Sequence, residues 1–395
     1  MTWETVRVSD AAEQIRGVTY SKGEASNTAA PDRVALLRAG NITDSGVDLN
    51  DLTYVPAHRV AERQRLRVGD VLIAASSGSL SVVGKAAYIH SSPNATFGAF
   101  CKVLRPGPGV DPAYFAHYFR TAEYRRYISS VAAGANINNL RSEDLDRIEI
   151  PLPPLPEQRR IAAILDEAED IRAQTSRMTS LFAEVPRARF QAYDQTEWRP
   201  MKVGDVAELQ GGLTINARRA SFPLSVGYLR VANVFRGSID LGEVKELGVT
   251  DAELVRTQLR TGDVLVVEGH GNVDEVGRAA LVDSLPDAPL THQNHLFRLR
   301  PKLDVTTGRF LELSVNAPAA REHLRRVANT TSGLNTLNAT SVRNLPIRIA
   351  PVDVQREIDA EFAEIMLSLQ ATKQKESALN ALFASLQHRA FRGEL

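Results

Sequence analysis

The chain has 395 residues, with 47 basic and 47 acidic side chains, 43% hydrophobic residues and a single cysteine. That length is too great for one ordinary core and suits two or three domains of ~100–200 residues each. Lone Cys101 excludes an internal disulfide and any cysteine-rich zinc site.

The balanced net charge gives no sign of a polyanion partner. No run approaches ~18 apolar residues, and Met1-Thr-Trp-Glu4 lacks the basic-then-apolar pattern of a signal peptide, so a cytoplasmic chain without a membrane partner is expected.

In chain order, strands are predicted over 34–37, 71–74 and 100–104, the last containing Cys101. A helix follows over 113–130, with Asp111 as its N-cap and Pro112 at its first position. A polar loop, 134–141, ends the module. Ile150-Pro-Leu-Pro-Pro-Leu-Pro156 cannot lie inside a helix and punctuates the start of one, 157–184, which is free of Pro and Gly. Its residues Ile161, Ile164, Ala168, Ile171, Thr175, Met178 and Phe182 alternate steps of three and four, as a heptad seam requires. The same order then returns: strands over 228–231, 264–267 and 296–299, a helix over 309–326, and a polar loop, 330–338. A second seam closes the chain, with Ile358, Phe362, Ile365, Leu369, Thr372, Glu376, Leu379, Phe383 and Leu386. Thr175 and Thr372 put a polar layer at equivalent places in the two seams, where it would fix register or is simply a tolerated small residue.

The return is a duplication. Trp3-Glu-Thr-Val-Arg-Val-Ser-Asp10 reappears as Trp198-Arg-Pro-Met-Lys-Val-Gly-Asp205, and Leu37-Arg-Ala-Gly-Asn-Ile42 as Leu229-Arg-Val-Ala-Asn-Val234. Leu66-Arg-Val-Gly-Asp-Val-Leu-Ile73 reappears as Leu259-Arg-Thr-Gly-Asp-Val-Leu-Val266, and Gly84-Lys-Ala-Ala87 as Gly277-Arg-Ala-Ala280. Lys102-Val-Leu-Arg-Pro106 matches Phe297-Arg-Leu-Arg-Pro301, and Pro154-Leu-Pro-Glu-Gln-Arg-Arg-Ile161 matches Pro351-Val-Asp-Val-Gln-Arg-Glu-Ile358. A repeat this long is a whole domain, not a solenoid unit of ~20–50 residues.

The expected fold is α+β. Two α/β domains (1–150 and 198–345), related by a pseudo-twofold axis, are separated by two helical regions (151–197 and 346–395) that pair as an antiparallel coiled coil. A run of ~28 helical residues at about 1.5 Å each spans roughly 40 Å, close to one turn of B-DNA at ~34–36 Å. Two similar heads that far apart would suit a bipartite duplex target.

The Pro-rich Glu-Gln segment before a long helix, its degenerate copy at 345–358, and the ending Leu382-Phe-Ala-Ser-Leu-Gln-His-Arg-Ala-Phe-Arg-Gly-Glu-Leu395 resemble the specificity subunits of type I restriction-modification systems over the whole chain. The resemblance implies a non-catalytic DNA-reading scaffold with no cofactor of its own. Its partners would be double-stranded DNA, two adenine-N6 methyltransferase subunits carrying S-adenosylmethionine, and the translocating restriction subunits. It also implies that the start of each helical region docks a methyltransferase, through Pro153, Pro154, Glu157, Gln158 and Gln355; the second copy departs from the pattern, with Ala350-Pro-Val-Asp-Val-Gln355. An orphan DNA-binding adaptor or a duplicated protein-interaction scaffold is the competing reading.

Candidate DNA contacts are basic and amide residues on or near the loops. In the first half these are Lys22, Arg38, Ser77, Ser79, Lys85, Arg125, Arg126, Asn136, Asn138 and Arg141. In the second half they are Arg218, Arg219, Arg230, His270, Asn272, Arg278, Arg325, Arg326, Asn335 and Asn338, with His292 and His295 also considered. Each reads equally as a surface charge or a turn residue. The stretches Ser76-Ser-Gly-Ser79 and Glu268-Gly-His-Gly-Asn272 follow matching strands with unlike sequences, which is where two domains reading different half-sites should diverge. Asp111-Pro-Ala-Tyr114 looks like the Asp-Pro-Pro-Tyr motif of adenine methyltransferases, but helix capping explains it better. Glu243-Val-Lys245 followed by Pro286-Asp287 has the wrong order for a metal-dependent nuclease, and no metal site is expected.

Overall fold

A computed structural model describes residues 3–43, 46–91, 94–132, 139–193, 195–331 and 334–395. The chain divides into two compact units, residues 1–179 with 372–395, and residues 180–371, so that each unit includes part of both long helices.

In the first unit a four-stranded antiparallel sheet runs in the order Ala12–Arg16, Cys101–Pro106, Val71–Ala74, Ala86–Tyr88. A second sheet places Arg33–Leu37 between Thr53–Pro56 and Ala95–Phe97, the latter pairing parallel, and Thr5–Arg7 pairs with Glu149–Pro151. In the second unit the order is Ala207–Gly211, Leu296–Pro301, Val264–Val267, Ala279–Leu281. There Leu224–Leu229 lies between Lys245–Val249 and Leu290–His292, the latter again parallel, and Arg199–Lys202 pairs with Pro346–Ile349. These three sheets therefore share one topology in the two units, while among the described residues the second unit adds a short sheet of Gly269–His270, Leu334–Thr336 and Asn329–Thr331.

The duplicated motifs are the joints of that topology. In Leu-Arg-x-Gly-Asp, Gly69 and Gly262 take positive φ (92° and 95°), a turn that other residues enter only with strain. The turn delivers a fully buried aspartate to a strand edge. Asp70 accepts two bonds of 2.8 Å from Arg105, and Asp263 accepts two of 2.8 Å from Arg300. Each aspartate also accepts the backbone N–H three residues before it, from Arg67 and Arg260. Asn41 and Asn233 form a second joint: each accepts the amide of the preceding arginine, Arg38 or Arg230, and donates to two loop carbonyls.

The helix expected over 113–130 is broken into Pro112–Tyr118 and Ala122–Ala132, and its counterpart over 309–326 into Gly308–Asn316 and Pro318–Val327. The causes differ. Thr121 turns back onto Tyr118 and accepts the Tyr124 amide, whereas Pro318 lacks the N–H needed to continue a helix.

The long helices are Leu155–Ala192 and Val352–Ala390, longer than the uninterrupted run foreseen, because the first continues through Pro186. They pair antiparallel. In the first unit Arg160 donates to the Leu395 carbonyl, and Arg172 donates to Asn380 (2.8 Å) and lies over the Phe383 ring. In the second unit Arg189 and Tyr193 both donate to the Glu361 carboxylate, and Phe190 meets Phe362, Phe310 and Trp198.

The seam of the second helix follows the expected positions, Glu376 included, whereas the first helix is rotated. Its inward positions step through Ile161, Leu165, Ala168, Arg172, Thr175, Thr179, Phe182, Pro186 and Phe190, while Ile171 and Met178 face solvent and Ile164 is only half-buried. The sequence reading followed apolarity at 164, 171 and 178; the fold instead faces Leu165, the arginine that stacks on Phe383, and a hydroxyl that satisfies itself on the Thr175 carbonyl. Among the described residues no helix is long and apolar enough to cross a membrane.

Candidate nucleic-acid interface

Three loops meet beyond the end of the central strand in each unit. In the first unit the strand ends at Ala74, and the amides of Ala75 and Ser76 both donate to the Phe100 carbonyl (2.9 and 3.0 Å). Ala75 in turn accepts the Leu140 amide at 2.7 Å, which fixes the end of the Asn-rich loop, and Ser76 bridges Asn139. The buried Lys102 ammonium donates to the Leu140 carbonyl, and burial lowers its pKa. In the second unit the Glu268 amide donates to the His295 carbonyl (2.9 Å), Glu268 accepts the Leu337 amide (2.8 Å), and His270 pairs with Asn335 across a short sheet. One scaffold thus gathers the same three loops twice, with unlike side chains.

Several candidates sit on this loop cluster. Ser77 and Ser79 lie on the first loop, the Ser77 hydroxyl accepting the Ser79 amide. His270, Asn272 and Asn335 form a linked group: the His270 ring accepts the Asn272 amide, and the Asn335 amide donates to the carbonyls of His270 and Gly271. Asn338 is exposed and caps the helix that follows, through the Ser341 amide. Asn136 and Asn138 lie outside the described residues. Lys85 follows the loop, half-buried; Arg141 is exposed and is latched through its backbone to Asp144.

Other candidates are committed to the fold. Arg219 is buried among the Thr214 and Gly248 carbonyls and Glu253, and Arg278 is buried between Glu275 and the Val231 carbonyl. Arg125 clamps the carbonyls of Ser81 and Val83, so it shapes the first loop from behind. His292 is fully buried in a strand, and burial lowers its pKa to about 4, which removes it from any contact list. Lys22, Arg126 and Arg218 are exposed; Arg38 pairs with Asp51, Arg230 with Glu243, and Arg325 and Arg326 with Glu322. Sequence reasoning overlooked Phe100, 68% exposed at the loop junction, because its strand context reads as core.

A family model described as the type I restriction modification DNA specificity domain matches residues 1–177. The whole chain is 34% identical over 421 residues to the EcoKI specificity subunit of Escherichia coli (strain K12), covering 89% of that protein. The chain belongs to the type I restriction enzyme specificity subunits. The StySPI specificity subunit of Salmonella potsdam is 32% identical over 415 residues, again with 100% of this chain covered and 89% of the relative. The fold of this specificity subunit also resembles a solved chain from a study of assembly and conformational transition of the type I R-M system (TM-score 0.61, 15% identity, 100% and 98% covered). The S subunit from M. genitalium resembles it too (TM-score 0.55, 11% identity, 99% and 96% covered).

The segment expected to dock a partner divides into two kinds of residue in this specificity subunit. Gln158 and Gln355 are buried (1% and 0% exposed) and hold their own unit together, so neither is presented to another chain. The Gln158 side chain accepts the Asp111 amide and donates to the Gly109 and Pro153 carbonyls. Gln355 accepts the Thr307 amide and the Thr306 hydroxyl, and donates to Val305 and Ala350. Each ties the start of a long helix to the N-cap of a module helix. Pro153 is buried as well, whereas Pro154 is exposed and Glu157, paired with Arg160, is partly so. Asp111 caps its helix through the amides of Ala113 and Tyr114, and Tyr114 is buried with its hydroxyl on the Pro151 carbonyl, so the Asp-Pro-Ala-Tyr run is a helix start.

Proposed function

We propose that this chain supplies the DNA sequence specificity of a type I restriction-modification complex. Each unit reads one half of a split target, and the chain assembles with two adenine-N6 methyltransferase subunits, which carry S-adenosylmethionine, and with restriction subunits. The chain itself performs no chemistry. The observation that supports this most directly is the repeated scaffold that brings three loops together in both units while their side chains differ, as two readers of different half-sites need. Membership of the specificity subunits, and the description of the matched domain, support it independently.

The test is methylome sequencing of the host before and after deletion of this chain. One split, adenine-methylated motif should vanish, and replacing residues 1–150 with a homologous domain should alter one half of it alone. Change in both halves would reject the modular reading. Purification with a methyltransferase at two copies per copy of this chain is expected; recovery without any methyltransferase would favour the orphan adaptor. Inserting one heptad after Arg172, matched by one after Leu369, should change the length of the unspecified spacer and leave both half-sites intact.

A further inference from the structure

The turn that carries Phe100 in one unit and His295 in the other is held by a set of backbone hydrogen bonds. The Val18 amide donates to the Phe97 carbonyl (2.7 Å), the Gly98 amide to Leu37 (2.9 Å) and the Cys101 amide to Gly98 (2.8 Å), while Phe100 accepts the two amides after the central strand. The second unit repeats this with Leu213 to His292 (2.9 Å), Gln293 to Leu229 (2.9 Å) and Leu296 to Gln293 (2.9 Å), and with the Glu268 amide on His295. Both turns are also approached closely by glycine backbone. A Cβ on Gly17 would lie 2.0 Å from the Gly98 oxygen, and one on Gly212 would lie 2.3 Å from the Gln293 oxygen, so only glycine fits either place. A rigid turn conserved between the two copies thus offers a different side chain to solvent at its tip. Phe100 is 68% exposed, so its ring contributes little burial to the isolated chain. His295 stands half-exposed with Nδ1 3.1 Å from the Glu268 carboxylate.

We infer that Phe100 and His295 are equivalent base-reading residues, one in each unit. This rests on the DNA-reading function proposed above and assigns the contacts within it. An exposed ring on a fixed turn suits apolar contact with a thymine 5-methyl group at the floor of the major groove. In the neutral imidazole, a hydrogen on Nδ1 shared with the Glu268 carboxylate leaves Nε2 as an acceptor. Its match is an exocyclic amino group, N6 of adenine or N4 of cytosine. Because the turn is held by its own backbone, the main chain that carries each side chain does not have to be ordered on binding.

The experiment uses the full chain co-expressed with its methyltransferase, offered a library of duplexes randomised across the motif; the methylated products are then sequenced. Phe100→Ala should relax one base pair of one half-site, with preference there falling ~10-fold or more, and Phe100→His should change which base is preferred at that same pair. His295→Gln should act only on the other half. Both side chains are exposed enough for the variants to fold, and thermal unfolding checks this. If the motif is unaltered in folded Phe100→Ala, or if both halves weaken together, the assignment is overturned. Replacement of residues 1–150 in the same assay separates the two levels. If the replacement changes one half and Phe100→Ala does not, only the assignment falls; if the replacement changes neither half, the underlying reading falls.

Discussion

Gln158→Ala separates a structural role for the Pro-Glu-Gln segment from a docking role. The wild-type amide is 1% exposed and satisfies three backbone groups: the Asp111 N–H at 2.8 Å, the Gly109 carbonyl at 3.1 Å and the Pro153 carbonyl at 2.7 Å. Truncation strands all three in a site closed to solvent. A buried unsatisfied group costs ~1–3 kcal/mol, but water entering the vacated volume recovers part of this, so the net loss should be roughly 2–4 kcal/mol. For a unit of about 200 residues, each kcal/mol lowers the melting midpoint by ~2–4 °C. The transition of the first unit should therefore fall by roughly 5–15 °C, while that of the second stays where it was. Gln355→Ala should do the reverse, since Gln355 makes the same bonds to Thr307, Val305 and Ala350. Differential scanning calorimetry follows both transitions, and methyltransferase capture at a temperature well below either reads docking. Unchanged midpoints together with lost capture would refute the structural assignment, and the segment would then be a binding epitope after all. Glu157→Ala and Pro154→Ala, at accessible positions, should show the opposite pattern: little change in melting and weakened capture.

The buried Asp–Arg joints should behave as single points of failure. Arg105→Met leaves Asp70 without its charged partner at 1% side-chain exposure and should destabilise the first unit by ~3–5 kcal/mol, measured by urea denaturation. On the seam, Leu165→Ala should cost ~2–5 kcal/mol, whereas Ile171→Ala, at a residue 44% exposed, should cost little; equal losses would restore the other heptad phase. His292 gives the second unit a pH dependence. Its folded pKa of about 4 lies below the ordinary value of 6.5, so the unfolded chain binds the extra proton between those values. This contribution is complete above pH ~6.5 and declines by ~3 kcal/mol as pH falls to about 4. His292→Leu should flatten that limb of the stability profile; an unchanged slope would assign it to other groups. Gly17→Ala should displace the Phe100 turn, because the added carbon would sit 2.0 Å from a backbone oxygen. Methylation at one half-site should then weaken even where the unit remains folded.

What could be read from the sequence was what repetition exposes. The duplicated Leu-Arg-x-Gly-Asp runs located matching strands at Val71–Ala74 and Val264–Val267 because a left-handed glycine and a buried aspartate leave few alternatives at a strand's edge. Periodicity likewise found both long helices, yet it misplaced the seam of the first, because hydropathy ranks Ile171 above Arg172. It has no means of knowing that the guanidinium will lie over Phe383 while its Nε bonds Asn380. The site was the least legible part for a related reason. Arg219 and Arg278 have the composition of DNA contacts, but their burial depends on Glu253, Glu275 and carbonyls up to 47 residues away. Phe100 has the composition of core but sits where Gly17, Leu37 and Ala75 hold its backbone outward. Charge and hydropathy describe a side chain in isolation, whereas its role here depends on which backbone atoms hold the residue in place. For a duplicated reader this suggests comparing copies at positions with the same backbone bonds and different residues. Phe100 against His295 meets that condition: each carbonyl accepts the first amide after the matching strand, and the turn bonds around it recur, so the shared scaffold does not by itself dictate a phenyl ring in one copy and an imidazole in the other.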